Sequence, residues 1–97
     1  MTAALKLSPT QRRVLWQTAE GEVKHQDLGF EVFWALNRRG YVHRVNQTAE
    51  SLLRAGLIER GTTPHGNPDW PYYVAVLTGA GRVLLAAHYT NQPRSTS

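Results

Sequence analysis

Residues 61–71, in the second half of the chain, include three prolines and two glycines. Proline lacks the backbone N–H that helices and sheets use, and glycine is favoured in turns, so this segment cannot form regular structure. Apolar and β-branched residues lie on both sides of it, at 57–60 and 72–77. We therefore predict two antiparallel strands joined by a long hairpin loop.

The clearest helix pattern lies just before this hairpin. Four apolar residues recur at the spacing of one buried helix face, namely Val45, Ala49, Leu52 and Leu53. Asn46 is a favoured N-cap residue, and Gly56 suits the left-handed position after a helix, with Leu57 closing onto Leu52. The sequence thus predicts a helix over 46–55.

Two further helices are predicted at the ends of the chain. Ser8 and Gln11 form a capping box around Pro9, so the first helix begins there and ends near Glu20, before Gly21. Its apolar face is Val14, Leu15, Thr18 and Ala19. Thr78 caps a last helix over 79–88, whose core face is Ala80, Val83, Leu84 and Ala87.

The segment 22–43 admits two interpretations. Residues 30–36 are rich in aromatic and β-branched types, which favours a strand paired with residues 22–25 across a turn at 26–29. The same residues could instead form a short helix that ends at Arg38. Residues 37–40 indicate a turn in either case.

Two short motifs flank the predicted loop. Residues 53–60, Leu-Arg-Ala-Gly-Leu-Ile-Glu-Arg, resemble the junction between recognition helix and wing in bacterial and phage winged helix-turn-helix proteins. Residues 76–82, Val-Leu-Thr-Gly-Ala-Gly-Arg, are similar to the exit from the wing in MarR-type regulators. This resemblance implies a small α+β winged-helix domain that binds double-stranded DNA, with the helix at 46–55 as its reading element.

Composition agrees with a compact domain of this kind. The chain has 97 residues, no cysteine and a net charge of +4, and it carries no apolar run long enough for a signal peptide or a membrane span. We expect an N-terminal arm at 1–7, the domain at 8–89, a disordered tail at 90–97, and a cytoplasmic location without membrane association.

The polar face of the reading helix supplies the first candidate DNA contacts. Gln can pair with adenine, Arg with guanine, and Ser or Thr with a base or a phosphate, whereas Glu50 would accept from cytosine or repel a phosphate. Arginines before the helix would contact the DNA backbone, and the loop would reach an adjacent groove. The candidate contacts are Arg38, Arg39, Arg44, Asn46, Gln47, Thr48, Ser51, Arg54, Arg60, His65 and Asn67.

Other functions receive less support from the residues. The main alternative is a protein-interaction module that docks through the loop and residues 30–34. The four histidines show no helical pairing and there is no cysteine, so we expect no metal, no cofactor and no enzymatic activity. A homodimer is possible, since Leu85 and Tyr89 fall outside the predicted core stripe, where they either contact a second copy or cover the domain edge.

The three tryptophans also divide between core and surface. Trp16 and Trp34 are predicted to lie in the core. Trp70 either packs to stiffen the loop or stacks on a sugar or a partner surface.

Overall fold

The computed structural model describes residues 6–36 and 39–91, with the side chains of the last helix described to Ala87. The chain forms a small α+β domain with three helices and an antiparallel sheet that includes a β-hairpin, as the sequence predicts. This architecture is compatible with a small winged-helix domain. In chain order, the elements are α1 (Pro9–Ala19), β1 (Val23–Asp27), β2 (Glu31–Leu36), β3 (Val42–Arg44), α2 (Asn46–Arg54), β4 (Ile58–Glu59), β5 (Tyr72–Val74), β6 (Val76–Leu77) and α3 (Gly79–Asn91).

Helix α1 begins with the predicted capping box. The Ser8 hydroxyl accepts from the Gln11 backbone N–H at 3.1 Å, and the Gln11 side chain accepts from the Ser8 N–H at 2.9 Å. The helix buries Val14, Leu15, Gln17 and Thr18. Ala19, predicted on this face, is exposed, and Gln17 takes its place because the buried face turns toward β2, where Gln17 donates to the Leu36 carbonyl.

The segment between α1 and α2, for which the sequence admits two interpretations, is a β-hairpin followed by a third strand. β1 pairs with β2 from Val23–Ala35 to Asp27–Glu31, and the turn between them has Gly29 at φ +90°. Because none of the described residues in 20–36 and 39–45 is helical, the alternative of a short helix over 30–36 is wrong. Strand β3 was not predicted, and it adds to β2 with Trp34 opposite Arg44.

The predicted wing strands are divided between two sheets. β4 pairs with β6, Ile58 opposite Leu77, as the hairpin prediction requires. β5 instead pairs with β1, which gives a four-stranded sheet of order β3-β2-β1-β5. The single strand predicted over 72–77 is therefore wrong, because the buried Ala75 donates its N–H to the Val23 carbonyl and the chain changes sheets there. We call residues 60–71, between β4 and β5, the wing loop.

Helix α2 lies on the core with the predicted face. Val45, Ala49 and Leu52 are buried, and Leu53 packs against them. The C-terminal closure is also as predicted, since Gly56 adopts φ +74° and Leu57 donates to the Leu52 carbonyl. The N-cap prediction is wrong, because Val45 occupies that position and makes no side-chain capping bond.

Helix α3 is capped by Thr78, whose hydroxyl accepts from the Gly81 N–H at 3.0 Å. Its core face differs from the predicted one, since Leu84 and Leu85 pack on the core whereas Ala80, Val83 and Ala87 are exposed. The reason is the close approach of Gly81 to the Leu57 carbonyl, which sets the rotation of the helix. Leu85 therefore covers the domain's own core, and the side chain of Tyr89 lies outside the described residues.

The core lies between α1, α2 and one face of the four-stranded sheet. Its buried apolar residues are Leu7, Val14, Leu15, Val23, Phe33, Ala35, Val45, Ala49, Leu52, Leu57, Ile58 and Ala75. Leu7, predicted in the N-terminal arm, is part of it. Trp16 is half-buried, and the core prediction for Trp34 is wrong because Trp34 alternates with Phe33 and Ala35 and so lies on the opposite face of β2. No helix in the described residues is both long and apolar enough to cross a membrane.

Candidate nucleic-acid interface

The exposed face of α2 carries three long polar side chains. Gln47, Glu50 and Arg54 are all exposed, on the side of the helix opposite the buried Ala49 and Leu52. Gln47 and Arg54 are separated by seven residues, so they lie about 10 Å apart along the helix axis. This face is the part of the predicted reading surface that the fold leaves open.

Two other predicted contacts on α2 lie toward α1. Ser51 is half-buried, accepts from the Gln11 amide at 3.1 Å and donates to the Thr48 carbonyl at 2.7 Å. Thr48 is half-buried on the same side of the helix. Ser51 was predicted on the exposed side of α2, opposite the core face. It is half-buried instead, because helix α1 packs against that side of α2. Ser51 thus helps to position α2 against α1.

Asn46 joins α2 to the sheet. Its side-chain oxygen accepts from the Phe33 N–H at 3.0 Å, and its amide nitrogen donates to the Glu31 carbonyl at 2.8 Å. The side chain thus imitates the backbone of a neighbouring strand next to β2. It fixes the start of α2, and its amide nitrogen also donates to a Glu50 carboxylate oxygen at 3.5 Å.

Arg60, the first residue of the wing loop, is paired with a carboxylate. It donates to Glu31 through Nε at 2.5 Å and through Nη2 at 2.7 Å. These hydrogen bonds hold the pKa of the Glu31 carboxyl below its ordinary value and raise the pKa of the Arg60 guanidinium. The positive charge of this predicted DNA contact is therefore largely neutralised within the fold.

His25 lies behind this ion pair on the core face of β1. Its ring is stacked on Tyr73, with ring centroids 5.3 Å apart, and Nδ1 is 3.8 Å from a Glu31 carboxylate oxygen. Burial lowers the pKa of His25, while Glu31 opposes this shift and Arg60 adds to it. Nε2 is buried and has no hydrogen-bond partner in the described part of the chain.

The wing loop places its two predicted contacts differently. His65 forms two backbone hydrogen bonds with Tyr72, and the two rings stack with centroids 5.4 Å apart. Asn67 accepts from the Asp69 N–H at 2.9 Å and caps a tight turn. His65 is thus an extension of the larger sheet, and Asn67 shapes the loop.

Of the cations predicted before α2, the described residues include Arg39 and Arg44. Arg44 lies on β3, directly opposite Trp34, on the face of the sheet that points away from the core. Arg39 is exposed in the turn before β3, and Arg38 lies outside the described residues.

Two arginines on α1 were missed as candidates. Arg12 and Arg13 are exposed and follow Gln11, the residue that contacts α2 through Ser51. Both lie off the apolar face of the α1 sequence, which is a signal that sequence reasoning can detect. The α1–α2 contact itself was not predictable from that pattern.

Within residues 6–36 and 39–91, no group of three or more His, Cys, Asp or Glu side chains is arranged to hold a metal ion. Comparison with known protein families, curated proteins and solved structures finds no significant match for this chain.

Proposed function

We propose that this chain binds double-stranded DNA in a sequence-specific way through the exposed face of α2, with Arg60 at the base of the wing loop near it. The observation that carries the proposal is the placement of Gln47 and Arg54. Both are exposed on one helix face, and neither makes a side-chain hydrogen bond within the described residues. Their separation of about 10 Å is close to the rise of three base pairs.

The chemistry of this face suits the major groove. Glutamine pairs bidentately with adenine and arginine with guanine, so two side chains on one helix can read two positions of a site. Glu50 lies between them on the same face and would accept from a cytosine amine or repel a phosphate. This arrangement favours selectivity over general affinity.

Backbone contacts come from the neighbouring helix in this proposal. Arg12 and Arg13 of α1 follow the Gln11–Ser51 contact, and the chain has a net charge of +4. Arginines beside a reading helix position a protein on the phosphates without reading sequence. The function that follows is that of a transcriptional regulator or of a phage or plasmid accessory factor.

The test is a selection from random duplexes at two salt concentrations, followed by anisotropy with the enriched site. Loss of one bidentate contact costs about 1–3 kcal/mol, so Gln47→Ala and Arg54→Ala should each weaken the enriched site roughly 5- to 150-fold. The matched control is Arg82→Ala, since Arg82 is exposed and lies beside Thr18 and Gly21 at the other end of α1. Absence of duplex binding at low salt, or equal binding by all variants, contradicts the proposal.

A second candidate is a protein-interaction module. It is supported by the exposure of Phe30 and Trp70, whose relative accessibilities are 61% and 60%. Aromatic side chains of this size dominate the energy of many protein interfaces. A folded protein that binds no duplex, and that loses a defined protein partner on Trp70→Ala, favours this candidate over DNA binding.

A further inference from the structure

The four-stranded sheet has two different faces. One carries Val23, Phe33 and Ala35, which are fully buried in the core beneath α1 and α2. Side chains alternate along a strand, so Lys24 and Trp34 point to the other side. We call this second side the outer face, and in the described part of the chain no helix packs on it. Its side chains are half-exposed or exposed.

A row of three aromatic rings crosses the outer face. The His65 and Tyr72 rings stack with their centroids 5.4 Å apart, and Tyr72 meets Trp34 edge-on at 6.0 Å. Trp70 is held at the same place, because Gln26 donates to its backbone carbonyl at 2.7 Å while its ring stays 60% exposed. The aromatic residues at the end of the wing loop therefore continue those of the sheet.

Cations flank the centre of this row. The register places Lys24 of β1 and Arg44 of β3 directly opposite Trp34 of β2, one on each side. No strand position on the outer face carries a carboxylate. Asp27 and Glu31 lie opposite each other in the β1–β2 register, and their side chains are on the core side of the sheet. The outer face is thus aromatic and positively charged, which is complementary to an anion that also carries flat rings.

We propose that the outer face binds single-stranded nucleic acid. The bases would stack on Trp34 and Tyr72, and the phosphates would lie near Lys24 and Arg44. Every base has a π-face, so an aromatic platform within a basic surface accepts a single strand without reading its sequence. A duplex keeps its bases stacked on one another and offers no such contact.

This surface is separate from the one proposed for duplex DNA. Helix α2 packs against the core side of β2, where Asn46 bonds to the β2 backbone, whereas Trp34 points away from the core. The two activities can therefore be lost independently. The inference does not rest on the duplex proposal, and either can fail alone.

The first experiment measures anisotropy of labelled oligothymidine and oligouridine of about 12 nucleotides, within the range of known single-strand sites. Stacking of one base contributes about 1–3 kcal/mol, so Trp34→Leu should weaken binding roughly 5- to 150-fold and leave duplex affinity unchanged. Lys24→Glu should weaken binding and reduce its salt dependence. Its matched control is Lys6→Glu, which reverses the charge of an exposed lysine just before α1.

A second measurement keeps the test decisive if Trp34→Leu proves unstable. In the double variant Trp16→Phe/Trp70→Phe, Trp34 is the single tryptophan of the chain. Base stacking should then quench the Trp34 fluorescence as oligothymidine is added. A sugar phosphate that carries no base should cause no quenching.

Three results would overturn the proposal. The first is the absence of oligonucleotide binding by the folded wild-type chain. That result would favour an acidic protein as the ligand of the outer face. The second is binding that neither Trp34→Leu nor Lys24→Glu weakens. The third is binding without a change in Trp34 fluorescence. A wild-type chain that binds duplex DNA but no oligonucleotide refutes only this inference, and a wild-type chain that binds oligonucleotide but no duplex refutes only the duplex proposal.

Discussion

Arg60 forms a two-point ion pair with Glu31, and this pair joins the residue after β4 to the first residue of β2. The smaller sheet and the base of the wing loop are thereby attached to the β1–β2 hairpin. The same pair removes most of the free positive charge from a residue that the sequence marks as a DNA contact. Glu31 thus controls how much charge the wing loop presents to a ligand.

Release of Arg60 should strengthen duplex binding. In Glu31→Gln the carboxylate is lost while the side chain keeps its size, so Arg60 becomes available to a phosphate. We expect affinity for duplex DNA to rise severalfold at low salt, with the salt slope steeper by about one unit. Anisotropy at several salt concentrations measures both quantities. Glu20→Gln at the end of α1 is the charge-matched control, and equal behaviour of the two variants would exclude Arg60 from the duplex surface.

His25 should make stability depend on pH. Burial lowers its folded-state pKa below the ordinary 6.5, so the unfolded chain takes up a proton first as the pH falls. This contribution to stability is complete above about pH 6.5 and is lost as the pH falls through the lower folded-state pKa. We expect His25→Phe to flatten the pH dependence of the free energy of unfolding below about pH 6.5.

The control for this prediction is His43→Phe, because His43 is exposed on β3. Urea unfolding at a series of pH values provides the measurement. If His25→Phe and the wild-type chain lose stability in parallel on acidification, the buried ring is not the source of the effect.

Asn46 should contribute to stability through the sheet and not as a helix cap. Asn46→Ala leaves the Phe33 N–H and the Glu31 carbonyl without their side-chain partner, which costs about 1–3 kcal/mol. Gln47→Ala, at the next position on an exposed face, should change the free energy of unfolding by less than about 0.5 kcal/mol. Chemical denaturation compares the two. A loss in Asn46→Ala no larger than that in Gln47→Ala would contradict the bridging role.

Gly81 should tolerate no side chain. A methyl group there would overlap the Leu57 carbonyl oxygen, which is rigid backbone, so Gly81→Ala should cost about 1–3 kcal/mol. Gly79, two residues earlier in α3, has open space at the same position and gives the matched variant Gly79→Ala. Thermal unfolding should separate them clearly, with Gly79→Ala close to the wild-type chain. Equal melting temperatures would mean that α3 does not approach Leu57 this closely.

The parts of the fold that could be predicted from sequence are those fixed by neighbouring residues. The capping box at Ser8, the Gly56 closure and the buried face of α2 each depend on contacts within a few positions of the chain. Such local chemistry is visible as spacing. The hairpin of β1 and β2 was also favoured by its aromatic and β-branched residues.

The parts that could not be predicted depend on distant contacts. Ser51 and Asn46 suit an exposed reading face by their spacing, but α1 and β2 occupy their polar groups. The rotation of α3 follows from the approach of Gly81 to Leu57, which no periodicity records. Of the candidate site on α2, only Gln47 and Arg54 keep the open placement that the helix pattern indicated.

The wing loop leaves the smaller sheet at Glu59 and enters the larger one at Tyr72. In an ordinary two-residue hairpin, loop length determines how the strands align. Here β6 and β1 fix the alignment at the two ends, so neither depends on the number of residues between them. Residues inserted between Gly66 and Asp69 would extend the reach of the loop and leave the rest of the domain unaltered, since doubling a loop costs only about 0.6 kcal/mol. The fold can thus acquire a longer recognition arm at this point without redesign of its core.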